Sequence, residues 1–510
     1  MEKYMSRIVK YILVGTMLMV ICMTTACSNK NKDNTAGVHI SILAKNSQYT
    51  DVDYESTEVI RKVSENSGYD IEWKLRQPDS YYDVVRELIL NGDTLADIIQ
   101  LPDMDMNMEY INTGKFVCLD EYLDYMPNYK KFLQSNPDIK ASLTTDTGHI
   151  YYVPQTVLTY NYVPCVMYNQ EWLKKAGKSE PQTLDELVEL LRIYKSEDMN
   201  DNGYSTDEIP LSIIPDFIPY MFGPAFGLDL STGFIIDDYG NVSYSYSDSV
   251  NYRKYLEFVN DLYEEGLIEK DYEKCTRDII KERCSRNITG VTFDYSWHMS
   301  MLYSAQYNEY NGDTPVFKGG VPLSGEHQGF YIGRNAVSGI FGVTKTDNVI
   351  SAVKVLDYLI SDYNEDMYCF GIDGVSYCID DEGNKVFMDA AKDDAFIQKL
   401  GVNPICVPSR QSVAATDMLL PEWHIRLDKQ LAKYVRKPLP FMYVSSSDVD
   451  KNNGYINYIS KYVDDEENDF ITGRQSLSSF DAYLNTLDNM GIKEITSIKQ
   501  KQYNLYKNNM

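Results

Sequence analysis

The chain has 510 residues, of which 44% are hydrophobic and 13% aromatic. This composition excludes a disordered chain and is enough for about two or three domains with large cores. The formal net charge of −27 at pH 7 repels the phosphates of nucleic acids and anionic lipid headgroups, which argues against nucleic-acid binding.

Residues 1–26 have the pattern of an export signal. Basic residues precede an apolar run from Tyr11 to Met23, which is shorter than the ~20 residues that cross a bilayer. The small residue Ala26 comes directly before Cys27, which predicts a lipoprotein signal in which Cys27 is lipidated and becomes the new N-terminus. Residues 27–37 would then tether the protein flexibly to the extracytoplasmic face of the cell membrane. An ordinary secretory signal or a membrane anchor is the alternative.

The next part of the chain alternates between strand and helix patterns. The pattern predicts a strand at Val38–Leu43, a helix at Tyr54–Asn66, a strand at Tyr69–Leu75, a helix at Ser80–Leu90 and a strand at Asp97–Leu101. Such alternation is typical of βαβ units and a parallel sheet. It predicts an α/β fold in which ligands bind outside the carboxyl ends of the strands.

Two later segments have the apolar spacing of amphipathic helices. The first is Leu184–Lys195, where Thr183 and Glu186 have the spacing of a capping box at the helix start. The second is Ile350–Ile360. Both support the α/β prediction.

A loop after the first of these helices has the spacing of a calcium-binding loop. Oxygen-bearing side chains occupy its first, third and fifth positions, Gly203 follows, and two acidic residues close it. The predicted ligands of a structural Ca²⁺ ion are Asp198, Asn200, Asn202, the carbonyl of Tyr204, Asp207 and Glu208. The loop is shorter than a full EF-hand, so a polar turn that binds no metal is the alternative.

Cysteine usage is unusual for an exported protein. Seven cysteines follow Cys27, and they form no CxxC pair and no zinc-finger spacing. The odd number predicts free thiols, mostly buried, in reducing surroundings. Cys275 with Cys284, and Cys369 with Cys378, are close enough in sequence to bridge, and spacing alone does not decide whether they do.

Several motifs in a fixed order resemble one known family. The sequence resembles extracellular solute-binding protein family 1, in particular its LipO-like lipoprotein branch, which includes the alginate-oligosaccharide-binding proteins. The matching motifs are NGDTLADI at Asn91–Ile98, GHIYYVP at Gly148–Pro154, YNQEWLKKAG at Tyr168–Gly177, the calcium-like loop with its following Ile209–Pro210, and GIDGV at Gly371–Val375.

The resemblance implies a type II periplasmic-binding-protein-like fold with two hinged α/β lobes that close over a ligand. The N-terminal lobe would contain residues 38–158 and 322–362, and the C-terminal lobe residues 159–321 and 363–510. It also implies a monomeric receptor that binds a small solute and delivers it to the permease subunits of an ABC importer.

Candidate ligand residues follow from the chemistry of sugar clefts, where flat aromatic faces cover the C–H side of a sugar ring and planar polar groups bind its hydroxyls. Trp297 and Tyr295 follow a short apolar strand, and Trp423 lies in a long connection. The full set of predicted ligand residues is Trp297, Trp423, Tyr295, Gln155, Tyr162 and Arg410. Packing between lobes is the alternative for the tryptophans, and a salt bridge is the alternative for Arg410.

Catalytic motifs are absent from the sequence. The five histidines are scattered, with no HExxH, and there is no GxSxG. Acidic pairs such as Asp237–Asp238 are adjacent in sequence, so their side chains diverge instead of flanking a glycosidic bond. The sequence therefore predicts a receptor for an oligosaccharide or sugar derivative and not an enzyme. A receptor for peptides or another small solute, a glycan-degrading enzyme, and a sensory or adhesion lipoprotein are the alternatives.

Overall fold

The computed structural model describes residues 37–48, 51–92, 94–104, 107–157, 163–304 and 315–510, without the side chains of 454–456. The predicted lipidation site Cys27 and the predicted ligand residue Tyr162 lie outside the described residues. No helix in the described part of the chain is both long and apolar enough to span a membrane.

The described strands are β1 His39–Lys45, β2 Asp70–Arg76, β3 Ile98–Gln100, β4 Tyr152–Thr156, β5 Pro164–Asn169, β6 Ile209–Ile213, β7 Phe234–Ile236, β8 Val242–Tyr244, β9 Thr289–Tyr295, β10 Phe317–Gly319, β11 Tyr331–Ile332, β12 Val337–Val343, β13 Tyr377–Ile379, β14 Lys385–Phe387 and β15 Val435–Arg436.

The described α-helices are α1 Glu58–Ser67, α2 Pro78–Asn91, α3 Asn107–Asn112, α4 Pro127–Ser135, α5 Pro137–Leu143, α6 Gln170–Ala176, α7 Leu184–Ser196, α8 Ile218–Phe222, α9 Asn251–Glu264, α10 Arg277–Ser285, α11 Val349–Leu359, α12 Asp362–Phe370, α13 Asp394–Leu400, α14 Val413–Asp417, α15 Glu422–Leu431, α16 Val449–Ile471, α17 Phe480–Asn489 and α18 Ile492–Asn509.

The first lobe is built on a five-stranded sheet in the order β2-β1-β3-β12-β4. β1 pairs in parallel with β2 and β3, as the alternating pattern predicted, whereas β12 is antiparallel to β3 and β4. Asp97 ties three of these strands together. Its Oδ2 accepts a hydrogen bond from the Ser41 backbone N–H at 2.9 Å, and its Oδ1 accepts one from the Thr346 hydroxyl at 2.6 Å.

The second lobe is built on a four-stranded sheet in the order β10-β5-β9-β6. β9 pairs antiparallel with β5 and parallel with β6, and its first six residues are buried. The predicted capping box at the start of α7 is confirmed, because the Thr183 side chain and the Glu186 side chain each accept a hydrogen bond from the other's backbone N–H. Trp172 is fully buried and packs edge-on against Tyr194, as expected for a core residue.

The segment from α12 to residue 412 contacts the first lobe, although the sequence analysis expected it in the second. Gln100 Nε2 donates to the Ile405 carbonyl at 2.9 Å, and the Thr156 N–H donates to the Ser409 carbonyl at 3.0 Å. Helix α15 packs on the second lobe, where Leu427 lies beside Gly319. We therefore propose that the chain crosses between the lobes for the third time near residues 412–421, not near residue 363.

The C-terminal helices contact both lobes. On the first lobe, Asn453 Nδ2 donates to Glu109 at 3.2 Å. On the second, Asn260 Nδ2 donates to the Ile471 carbonyl at 3.0 Å, and Gln500 Oε1 accepts from the Val242 N–H at 2.7 Å. These helices thus bridge the lobes, whereas the sequence assigned them to the second lobe alone.

All seven described cysteines are free thiols, so neither of the two candidate bridges forms. Five of them are buried, Cys118 is half-buried and Cys378 is exposed. Burial explains how these thiols coexist without pairing, since a buried thiol behaves as a small apolar side chain.

Candidate functional site

A cavity of about 420 Å³ lies between the two lobes. The first lobe and its associated segment contribute Ser47 and Gln48, which follow β1, together with residues from α13 to residue 411. The second lobe contributes Trp297 and the three neighbouring side chains that follow β9. The cavity thus lies beyond the carboxyl ends of β1 and β9, where the α/β prediction expects a ligand.

Trp297 and Tyr295 face adjoining cavities. Trp297 is half-buried, lines the 420 Å³ cavity and stacks on the ring of His298 at a centroid distance of 4.9 Å. Tyr295 lines a second cavity of about 310 Å³. Arg334 borders both cavities, and its guanidinium lies 5.8 Å from the Tyr295 ring centroid. The two aromatic rings therefore flank a cationic group at the junction of the cavities.

Asp294 fixes the turn that carries these aromatic residues. Arg277 donates two hydrogen bonds to its carboxylate at 2.7 and 2.9 Å, and the Tyr303 hydroxyl donates a third at 2.6 Å. Burial alone would raise the pKa of Asp294, but the interactions with His298, Arg277 and Tyr303 outweigh it and hold that pKa well below its usual range. The carboxylate stays ionised and anchors the chain on both sides of Trp297.

A short π-helix, Met299–Tyr303, follows Trp297 and backs onto a buried polar cluster. The Ser300 hydroxyl lies 2.7 Å from His424 Nδ1. Burial lowers the pKa of His424 to about 4 and raises the pKa of Asp428, one helical turn further on, to about 7. The π-helix that follows Trp297 therefore packs against the His424 imidazole, which stays uncharged at neutral pH.

A third cavity of about 300 Å³ continues the row and shares Thr232, Asn335 and Leu439 with the second. Three amide side chains on its wall are more than nine-tenths buried, and their oxygens have no hydrogen-bond partner among the described residues. These side chains are Asn107, Asn452 and Gln502. Buried acceptors without partners are costly, so this wall is suited to a guest that donates hydrogen bonds.

Other predicted ligand residues lie outside the cavity walls. Trp423 is buried at the start of α15 and stacks on His424, the next residue of the same helix. Arg410 makes ion pairs with Asp362 at 2.9 Å and Glu365 at 3.3 Å, which matches the salt-bridge alternative. Gln155 is half-buried in β4, and its Nε2 lies 3.4 Å from the Ser409 hydroxyl. The sequence could not separate these roles, because each depends on partners that are distant in the chain.

The residues that the sequence analysis missed include Arg334, Asn403 and Gln411, all of which line the first cavity. None of these three residues lies in a sequence motif that predicts ligand binding. The return connection after β11 carries Arg334 to the cleft, and its position there follows only from the assembled lobes.

The calcium-like loop folds tightly around Asp198. Its two carboxylate oxygens accept backbone hydrogen bonds from Asn202 at 3.2 Å and Gly203 at 2.8 Å, and Gly203 has a φ of 90° that favours glycine. Asn202 Nδ2 donates to Asp207 Oδ2 at 2.7 Å. These contacts join Asp198, Asn202 and Asp207 within one loop.

Two oxygens of this loop lack partners among the described residues. Asp207 Oδ1 and Glu208 Oε2 are buried and make no hydrogen bond, although Glu208 Oε1 accepts from the Met199 N–H at 2.8 Å. Carboxylate oxygens in that state fit a hard cation such as Ca²⁺. Lys175 is a rival partner, since its ammonium bonds the Asp198 carbonyl and the Asp201 carboxylate.

No family model matches the chain. Among curated proteins, the fructooligosaccharide ABC transporter substrate-binding protein FusA of Streptococcus pneumoniae serotype 4 (strain ATCC BAA-334 / TIGR4) is 26% identical over 490 residues, which cover 88% of this chain and 87% of FusA. Lipoprotein LipO of Bacillus subtilis (strain 168) is 24% identical over 239 residues, 45% of each chain. The resemblance to solute-binding proteins that the motifs predicted is confirmed.

Solved structures with the same fold include S. pneumoniae FusA in complex with kestose, with a TM-score of 0.76 and 21% identity over 93% of this chain and 100% of that one. Alginate-binding protein AlgQ2 without calcium ion has a TM-score of 0.74 and 20% identity over 93% and 99%. An EF-hand mutant of FusA with fructo-nystose has a TM-score of 0.75 and 21% identity over 93% and 100%. The predicted two-lobe α/β fold is confirmed.

Proposed function

We propose that this chain is the extracellular receptor of an ABC importer and that it binds an oligosaccharide in the row of cavities between its lobes. One observation carries the proposal: the half-buried Trp297 lines the cavity between the lobes. This cavity lies beyond the carboxyl ends of β1 and β9. The relative FusA, which spans nearly the same length, is a fructooligosaccharide substrate-binding protein, and this supports the same ligand class here.

The chemistry of the three cavities suits a ligand with several hydroxyl groups and apolar ring faces. Trp297 and Tyr295 offer flat surfaces for C–H groups. The side chains of Arg334, Asn403 and Gln411 add polar groups that a hydroxyl can bond. The three unpartnered amide oxygens of the third cavity accept from hydroxyl donors, so the guest would be long enough to reach from one cavity into the next.

The proposed receptor would remain at the cell surface through a lipid on Cys27. The signal pattern that ends at Ala26 supports this anchor, and the relative LipO is a lipoprotein. Its partners would be the permease subunits of the importer. The chain would act as a monomer, because one cleft between two lobes contains all the cavities described above.

We also propose a structural Ca²⁺ ion in the loop Asp198–Glu208. The two buried carboxylate oxygens without partners among the described residues support it. Two of the similar structures also support it, because one is an EF-hand mutant of FusA and the other is AlgQ2 without calcium ion. A saturated oxygen shell leaves no open coordination position, so the ion would stabilise the loop and take no part in chemistry.

A ligand screen by thermal unfolding tests the proposed function. Ligands that bind only the folded state stabilise it by about 2.7 kcal/mol at a concentration of 100 times Kd. We expect a saturable rise in melting temperature with one class among kestose, alginate oligosaccharides and galacturonate oligosaccharides, and no change with peptides. A shift only with peptides would favour a peptide receptor. Product formation from any glycan would favour a glycan-degrading enzyme, and no shift with any solute would favour a sensory or adhesion role.

A further inference from the structure

Three potential metal ligands of different chemical types meet on the first lobe, outside the cleft and the calcium-like loop. Cys118 precedes the 3-10 turn Leu119–Tyr125, which contains Asp120, and His149 lies three residues before β4. Their ligand atoms all lie within 4.8 Å of one another. We propose that Cys118, Asp120 and His149 form a binding site for a borderline divalent transition-metal ion, Zn²⁺ being the best match.

The backbone holds the three side chains in place before any metal binds. The Leu119 N–H donates to the Ile150 carbonyl at 2.7 Å, and the Ile150 N–H donates to Asp120 Oδ1 at 2.8 Å. These bonds join the turn that carries Cys118 and Asp120 to the segment that carries His149. A site supported in this way needs little reorganisation on binding.

The side-chain geometry fits a tetrahedral ion with small adjustments. Cys118 Sγ donates to Asp120 Oδ1 at 3.0 Å, and His149 Nδ1 lies 2.8 Å from Asp120 Oδ2. Ligand atoms in a tetrahedral zinc site are about 3.3–3.8 Å apart, given bonds of about 2.0–2.3 Å. The hydrogen-bonded pairs would therefore separate by less than about 1 Å as the ion replaces the shared protons.

The donor set indicates which metal binds. Thiolate, imidazole and carboxylate together favour Zn²⁺ and its neighbours over Ca²⁺ or Mg²⁺, which prefer oxygen alone. The His149 side chain is 46% exposed, so solvent can supply a fourth ligand. A nucleophilic role fits less well, because the imidazole that would activate the thiol contacts Asp120, and the thiol contacts the other oxygen of the same carboxylate.

Metal binding at this site releases a proton. Without the metal, the Cys118 thiol keeps its proton and donates it to Asp120 Oδ1 at 3.0 Å. The ion bonds to sulfur as the S–H bond breaks and the proton passes to solvent, while His149 binds through its neutral ring. Affinity for the metal should therefore increase with pH.

Cobalt titration of the calcium-loaded full chain tests the proposal, because Co²⁺ bound to a thiolate gives a charge-transfer absorption that oxygen ligands do not. We expect one equivalent of Co²⁺ to produce this band and Zn²⁺ to remove it, while excess Ca²⁺ leaves it unchanged. Cys118→Ser should abolish the band, and His149→Gln should weaken Co²⁺ binding at least tenfold. Cys378→Ser, at the exposed cysteine, is the matched control and should retain both.

Thermal unfolding with and without Zn²⁺ separates loss of metal binding from loss of folding in each variant. Zn²⁺ should raise the melting temperature of the wild type and of Cys378→Ser, and should leave that of Cys118→Ser and His149→Gln unchanged. A band that survives Cys118→Ser, or no thiolate band at one equivalent, would overturn the proposal. Oligosaccharide binding should persist in Cys118→Ser, so failure of this site and failure of the proposed receptor function are distinguishable.

Discussion

Trp297 differs from the other tryptophans of the chain because it lines one of the cavities described between the lobes. Trp297 follows β9, in which the buried residues end at Asp294. Hydrogen bonds from Arg277 and Tyr303 fix Asp294, and the turn that follows lies at the edge of the sheet. Trp423 was also a candidate in sequence, yet it is buried beside His424 and is absent from the walls of the described cavities. Side-chain exposure, which sequence spacing does not report, separates the two.

The first prediction concerns these two tryptophans. Trp297→Ala should weaken oligosaccharide binding by about 10–100-fold, because removal of a central aromatic contact costs about 1.4–2.7 kcal/mol. Trp423→Phe should leave the affinity within about twofold of the wild type. Isothermal titration with the carbohydrate found in the screen measures both. A large loss in Trp423→Phe together with an unchanged Trp297→Ala would contradict the assigned site.

The second prediction concerns Glu467, a buried acid in α16. The Tyr255 hydroxyl donates to it at 2.6 Å, and burial raises its pKa from 4.5 to about 7. Between pH 4.5 and 7 the folded state binds more protons at this carboxyl than the unfolded state does. The free energy of unfolding therefore decreases as pH rises through that window and stays reduced above it.

Glu467→Gln removes the ionisable group and preserves an acceptor for Tyr255. The variant should be more stable than the wild type at pH 8, by about 1–3 kcal/mol, and this advantage should vanish at pH 4. Urea unfolding across that range measures the difference. Asp465→Asn, at an exposed neighbour paired with Lys461 at 3.2 Å, is the control and should show little effect at either pH. A parallel pH dependence in wild type and Glu467→Gln would exclude the buried carboxyl as its source.

Among the elements, the loop that follows α7 carries the third prediction. Chelation should lower the melting temperature, and added Ca²⁺ should restore it, since a metal bound only to the folded state stabilises that state. Asp198→Asn should remove the response, because Asp198 would supply charged oxygens to the ion. Asp201→Asn should retain it, because Asp201 bonds Lys175 instead and asparagine tolerates its φ of 59°. Identical melting in chelator and in calcium would exclude the ion.

The elements that local sequence determines were predictable, and those that depend on distant partners were not. The capping box of α7 involves residues three apart, and the parallel strands β1, β2 and β3 follow one another through single helices. By contrast, Arg410 and Trp423 lie in a region of short helices where only contacts with other segments decide which side chains reach solvent. The third crossing that we propose between the lobes belongs to the same region, and its position likewise depends on contacts between distant segments.

At the scale of the whole molecule, the fourth prediction concerns closure of the lobes. The cavities have walls from both lobes, so a ligand that bonds to both should favour a more closed arrangement. Small-angle scattering should therefore show a smaller radius of gyration with saturating oligosaccharide, and Trp297→Ala should show a smaller decrease at the same concentration. A saturable ligand that leaves the scattering unchanged would indicate binding without closure.

Strand β12 has a consequence for how the protein forms during synthesis. It lies between β3 and β4 in the first sheet, yet the whole second sheet precedes it in the chain. Until β12 has left the ribosome, β3 and β4 have no strand to join them, and the N-terminal half of the polypeptide cannot complete its own core. Such late, long-range pairing folds slowly. The first lobe can therefore complete its five-stranded sheet only late in translation, after every strand of the second sheet has been made.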